Sequence, residues 1–149
     1  MNLAGKVALV TGGSGDIGRA IAEALAGAGT DVAISYVGDV ARADAAVEAV
    51  RLTGRQGHAL QLDQRDPASI DRCVGDVIGR FGRLDILVNN AAWNIGIPFR
   101  ELDTLTADIW DRVLETNARG PFLLCRAFAP ELRRHGAGVV RRHGHEPLG

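Results

Sequence analysis

Lysine and tyrosine are almost missing from this chain: Lys6 and Tyr36 are each the only residue of their kind, and no serine follows Ser69. Tyr36 is followed four positions on by Val40, so a phenol and an ammonium one helical turn apart are absent. There are only two cysteines, Cys73 and Cys125. Both fall within apolar helical patterns, which reads as buried reduced thiols suited to a reducing cytoplasm and argues against a disulfide framework. Excess charge is lacking too. Lys plus Arg of 17 against Asp plus Glu of 18 leaves a net charge of -1, with no general attraction to nucleic acid or an anionic membrane. No apolar run reaches membrane-spanning length, and Met1 to Lys6 lacks the charged start and apolar stretch of a signal peptide. Partners are therefore expected among small molecules and proteins. What is present is 46% hydrophobic residues in 149, enough for one domain with a single core.

The apolar pattern alternates between strands and helices. Val7 to Val10 is a continuous apolar run ending at glycine, as in a parallel strand buried on both faces. Ile17, Ile21, Ala24, Leu25 and Ala28 then recur at helical spacing and Gly29 stops them. Val32, Ala33 and Ile34 make a second strand, residues 40 to 53 a second helix, and residues 58 to 62 a third strand. Asp66 followed by Pro67 is a helix start, with the carboxylate as N-cap and proline where its missing donor costs nothing. Ile70, Cys73, Val74, Val77, Ile78 and Phe81 mark one face of that third helix. Ile86 to Val88 form a fourth strand ending at Asn89, Asn90, Ala91 and Ala92. A loop over residues 93 to 105 leads to a long helix, about 106 to 134, that Gly120 and Pro121 should bend.

The expected fold is α/β: a Rossmann-like, doubly wound parallel sheet, incomplete, with strand order 3-2-1-4 and an aborted fifth strand. Residues 1 to 140 form a partial dinucleotide-binding domain, and residues 141 to 149 an irregular tail with no strand alternation. This abrupt change to Arg, His, Gly and Pro resembles a reading-frame shift or an unnatural end. His135, His143 and His145 have nothing to fix a metal geometry, so no metal site is expected.

Thr11, Gly12, Gly13, Ser14, Gly15, Asp16, Ile17 and Gly18 join the first strand to the first helix. Glycines there let backbone approach phosphate closely, and the helix start directs free N–H groups and partial positive charge at it. A strand before and a helix after this G-x-G-x-x-G pattern favour a dinucleotide pyrophosphate over a merely structural turn.

From Lys6 to about Gly138 the chain resembles the short-chain dehydrogenase/reductase family. Thr11, Gly12 and Gly18 match its glycine loop, with Asp16 where a middle glycine is usual. The carboxylate of Asp16 either caps the helix or competes with the bound phosphate. Asp63 and Gln64, in the stretch to Asp66, resemble the element that contacts adenine; Asn89 to Ala92 resemble its Asn-Asn-Ala-Gly element; Trp110 to Asn117 resemble the helix carrying its catalytic-tetrad asparagine. The resemblance implies that Asn90, Ala91 and Ala92 bind cofactor and that Asn117 is catalytic, its bland alternative being a polar residue at a helix bend. Tyr36 stands where NAD-selective members have an aspartate, Asp39 lies slightly late, and Arg42 could pair with a 2′-phosphate or be a solvated surface arginine; NADP is expected over NAD.

In the family, a Ser and a Tyr-x-x-x-Lys pair complete the proton transfer, and neither is found here. Such groups contribute roughly 10²- to 10⁴-fold to rate. The resemblance thus implies an oxidoreductase of alcohols and carbonyls by descent, cytoplasmic, as a cofactor-binding half without activity alone. A non-catalytic nucleotide-binding module and a nonfunctional truncated product are the alternatives. The family's homo-oligomers, built with a later helix, would be impaired. Cys125 reads as a packed thiol rather than a nucleophile, and Trp93 and Trp110 as packing residues that could border a cleft.

Overall fold

The computed structural model describes residues 2–135 and 139–142. Among these residues five parallel strands, β1 (Val7–Val10), β2 (Asp31–Tyr36), β3 (Gly57–Gln61), β4 (Ile86–Asn89) and β5 (Val139–Arg142), lie in the order β3-β2-β1-β4-β5. Between them run α1 (Asp16–Gly27), α2 (Val40–Arg51), α3 (Pro67–Phe81), α4 (Ala107–Leu114) and α5 (Gly120–Arg134).

Successive side chains of a strand point to opposite faces, and this period sorts the apolar runs into two cores. Val7, Leu9, Ala33 and Leu87 face α3 and α5, where Ile70, Cys73, Val77, Leu124, Phe128 and Leu132 bury against them. Val10, Val32, Ile34 and Val88 face α1 and α2, closed by Ala22, Ala26, Ala46, Val47 and Val50. The alanines let α1 lie close to the sheet, which holds its N-terminus near the strand ends.

Capping sets three of the helix starts. Asp39 accepts from the Arg42 N–H at 3.0 Å, Asp66 from the Ala68 N–H at 3.0 Å, and Thr106 from the Ile109 N–H at 3.3 Å. The helix α3 ends at Gly82, whose φ of 74° is the left-handed conformation of a helix stop. At the opposite rim from these loops, the buried Asp85 carboxylate ties the starts of β1 and β4 together. It accepts from the Val7 N–H at 3.0 Å, from Arg83 Nε and Nη2 at 2.8 and 2.7 Å, and from Lys6 Nζ at 3.4 Å. Burial by itself raises the Asp85 pKa, but the Arg83 and Val7 hydrogen bonds outweigh it and the carboxyl lies below its ordinary value.

Two elements differ from the sequence reading. The fifth strand is formed, and it continues through Arg141 and Arg142, past the point where apolar character stops. Val139 pairs with Ile86, Val140 with Leu87, Arg141 with Val88 and Arg142 with Asn89. Parallel pairing satisfies backbone groups along the β4 edge whatever the side chains are, so β4 is not the edge strand that the order 3-2-1-4 leaves. Gly138 and residues 143 to 149, with His143, His145 and most of the expected tail, lie outside the described residues. The long helix is divided upstream of Gly120 and Pro121, by a π-helical turn over Glu115–Arg119. Pro121 then sits in the first turn of α5, which runs on directly from the π turn through Arg119 in helical conformation. The loop after β4 also holds a 3₁₀ segment, Phe99–Thr104.

Candidate functional site

The sheet order reverses between β1 and β4, and the loops leaving these strands part at their carboxyl ends, where α/β sheets place a ligand crevice. A cleft of about 1150 Å³ opens there. Its floor and walls come from the β1–α1 loop, the ends of β2 and β3, the residues after β4, and the α4 to α5 region.

The β1–α1 loop is bolted to the β4 loop by Thr11. This fully buried side chain donates to Val88 O at 3.3 Å and accepts from the Asn90 and Ala91 N–H groups, both at 3.0 Å. Asn90 returns the link, donating through Nδ2 to Thr11 O at 2.9 Å and Gly12 O at 3.3 Å. Gly12 has φ of 62° and its N–H donates to Ser35 Oγ at 3.1 Å. A Cβ on Gly18 would run into Gly12 O, Asn90 Nδ2 and Gly13 Cα, so only glycine lets α1 start this close beneath the loop. Unlike α2, α3 and α4, α1 has no side-chain cap: its N-cap is Gly15, with no side-chain hydrogen bond. The N–H groups of its first turn and its positive dipole end therefore face the cleft unopposed by a cap.

Of the residues expected at the site, Gly12, Ser14, Gly15, Asp16, Ile17, Gly18, Tyr36, Asp63, Gln64, Asn90, Ala91, Ala92 and Asn117 all line this cleft. Thr11 and Gly13 are buried beneath it. Arg42 stands outside the lining, on the exposed start of α2, and its Nη2 donates to Asp16 Oδ1 at 2.5 Å. Asp16 is thus an ion-pair partner rather than a helix cap. Asp39 lines the cleft, and its Oδ1 is engaged in capping α2.

The far wall is held by amide side chains. Gln64 Nε2 donates to Ala91 O at 3.1 Å and to Thr116 O at 2.6 Å, the latter a carbonyl of the π turn. Asn117, within that turn, grips the Trp93 backbone at both ends: Oδ1 accepts from Trp93 N–H and Nδ2 donates to Trp93 O, each at 2.8 Å. The Arg112 guanidinium lies over the Trp93 ring, 4.1 Å from its centroid. Beside them, Arg65 donates through Nε and its N–H to Asp63 Oδ1, both at 3.0 Å, and through Nη2 to Oδ2 at 2.8 Å. The Arg65 hydrogen bond is the largest influence on Asp63 and holds its carboxyl below the usual range.

Sequence reading did not single out Ser35, the bracing by Gln64 of the β4 loop against the π turn, or the Arg112 stack. The residues concerned are remote in sequence and carry no shared motif. At the other rim, Lys6 is committed to Asp85, while Tyr36 lies in the cleft. Cys125 sits near Asn89, whose Nδ2 lies 3.5 Å from its Sγ, and burial together with Asp76 pushes the Cys73 thiol up to about 12. Among the described residues no group of three or more His, Cys, Asp or Glu is placed to hold a metal ion, and no helix is long and apolar enough to cross a membrane.

Comparison with known proteins agrees with this geometry. The family model for short chain dehydrogenase matches residues 6–141. A 3-oxoacyl-acyl-carrier-protein reductase of Staphylococcus aureus is 36% identical over 138 residues, covering 91% of this chain and 54% of that protein. Sorbitol dehydrogenase of Cereibacter sphaeroides is 41% identical over 142 residues, covering 93% and 51%. Among solved structures, a short chain dehydrogenase from Burkholderia cenocepacia in complex with NADP superposes with a TM-score of 0.82 at 43% identity, covering 89% of this chain and 53% of that one. The chain spans about half the length of the curated relatives it matches.

Proposed function

The chain belongs to the short-chain dehydrogenase family, and from that premise we propose that residues 12–18 hold the pyrophosphate of NADP or NAD for hydride exchange between an alcohol and a carbonyl. The observation that carries this reading is the uncapped start of α1, set under a glycine loop that Thr11 and Asn90 pin to β4. Unpaired N–H groups at a helix start attract phosphate oxygens, and the cleft is larger than the roughly 300 to 1,000 Å³ of ordinary ligand pockets. The nicotinamide would supply the hydride. Gly12 and Gly18 give backbone approach, Asp63 and Gln64 border the adenine, and Asn90, Ala91 and Ala92 wall the ribose side. Asn117 takes the position of the family's tetrad asparagine, and its amide fixes the Trp93 backbone. The absence of an aspartate at Tyr36, the engagement of Asp39 as a cap and the nearness of Arg42 support NADP over NAD.

A second reading concerns these 149 residues alone. With Tyr36 in the cleft and Lys6 bound to Asp85 at the opposite rim, they provide no Tyr-x-x-x-Lys pair, which supports nucleotide binding without proton transfer. The exposed Trp110, Leu114 and Phe122 on α4 and α5 support association with a further copy, as in the family's oligomers, and the unpaired thiols of Cys73 and Cys125 support a cytoplasmic setting.

Calorimetric titration of the 149-residue polypeptide, alongside a thermal melt, tests the reading. Saturable binding of both dinucleotides, tighter for NADP, is expected, with a raised melting temperature because only the folded state binds. Carbonyl-dependent oxidation of NADPH is expected to stay at background. A folded chain that takes up neither dinucleotide would overturn the proposal.

A further inference from the structure

Two side chains from different helices meet at the mouth of the cleft. Asp16 opens α1 and belongs to the cleft lining, whereas Arg42 lies in the first turn of α2 and does not. Arg42 Nη2 donates to Asp16 Oδ1 at 2.5 Å, and the two side chains are 53% and 96% exposed. The Arg42 N–H is bonded to Asp39 Oδ1, so the start of α2 is fixed and only the long guanidinium arm can move.

We propose that Asp16 is a specificity-determining residue for the 2′ position of the dinucleotide, acting by holding Arg42 as its own counterion against recruitment to a 2′-phosphate. This rests on the dinucleotide reading above. An ion pair between groups this exposed is weak, because solvent screens it and two flexible chains must be ordered. A phosphate dianion that accepts two N–H bonds from one guanidinium is the stronger partner. Transfer of Arg42 to that phosphate leaves Asp16 as an uncompensated anion in the first turn of α1, where the pyrophosphate also carries negative charge, and like charges there repel. NAD has no 2′-phosphate, so the Asp16–Arg42 pair persists and Asp16 remains neutralised. Arg42 therefore favours NADP while Asp16 opposes it, and the net preference is the difference between the two.

The rival account makes Asp16 a favourable charge at the positive end of α1. In that case its removal weakens the fold and changes both dinucleotides alike. The two accounts separate in a cycle of Asp16→Asn, Asp16→Gly, Arg42→Ala and the Asp16→Asn/Arg42→Ala double variant of the full chain. Each is titrated with NADP, NAD, 2′,5′-ADP and ADP, with a thermal melt to establish folding. Asp16→Asn and Asp16→Gly are expected to tighten NADP and 2′,5′-ADP by about two- to fivefold, and NAD and ADP by less than about twofold. Arg42→Ala is expected to weaken NADP by about tenfold or more, with NAD little changed. In the Arg42→Ala background, Asp16→Asn should no longer move the NADP to NAD ratio. An unchanged ratio in folded Asp16→Asn and Asp16→Gly, or the same ratio change without Arg42, would refute the role of Asp16 and leave the dinucleotide reading intact. Failure of the parent chain to bind any of the four ligands would remove both.

Discussion

Gly18 concentrates the account at the level of one atom. A Cβ there meets Gly12 O, and lies 2.7 Å from Asn90 Nδ2 and 2.8 Å from Gly13 Cα. These are backbone atoms and a hydrogen-bonded amide, so relief must come from moving the loop itself. Gly18→Ala is expected to cost about 1–3 kcal/mol of stability, as overpacking does, and to weaken NADP binding more than about tenfold, since donors displaced by an ångström miss the phosphate. Calorimetry on the folded variant checks this, and unchanged affinity would mean that the loop does not carry the ligand. Gly18 was legible in the sequence because its spacing from Gly13 and Gly15 fell between a strand and a helix. The Asp16–Arg42 pair was not, since it joins two helices across a loop and no local pattern encodes such a meeting. Ser35 escaped for the same reason: its hydroxyl accepts from Gly12, remote in sequence.

At the level of elements, the joint between β1 and β4 rests on Asp85. Its folded pKa lies below the unfolded value of about 3.9. The ionised carboxylate therefore contributes stability that is fully present above about pH 4 and is lost as pH falls through the lowered folded value. Asp85→Asn is expected to destabilise the chain by about 2–3 kcal/mol at neutral pH, somewhat under the usual loss for a broken buried pair because Arg83 and Lys6 can rehydrate. Melting temperatures measured from pH 7 to pH 3 should show the gap between parent and variant narrowing in acid; a constant gap would contradict the role given to Asp85. The same scale shows where local signals end. Asp66 and Pro67 announced α3, and its apolar face was plain from Ile70 to Phe81. The π turn at Glu115–Arg119 had no such announcement, because the proline that marks the bend lies after it and the widened turn is held by Gln64 reaching Thr116 O from another element. The strand β5 was half visible: Val139 and Val140 are apolar, but Arg141 and Arg142 are placed by the backbone of β4, which side-chain pattern does not reveal.

Across the whole molecule, a parallel sheet with a helical layer on each face brings four loops to one rim, and the order reversal between β1 and β4 opens the space between them. The periodicity of the apolar runs was sufficient to infer that sheet, while the glycine-loop motif and the family resemblance named most of the cleft lining. The cross-links that give the cleft its shape came only with the three-dimensional arrangement. The central claim is that backbone N–H groups of the β1–α1 turn receive a nucleotide diphosphate. Amide resonances recorded by two-dimensional NMR on the isotope-labelled chain, with and without saturating NADP, test it most directly. The account predicts the largest shifts at residues 12–18, followed by Asn90 to Ala92, with the Lys6–Asp85 rim unmoved. Saturable binding that leaves residues 12–18 unshifted, or that moves the opposite rim instead, would contradict it.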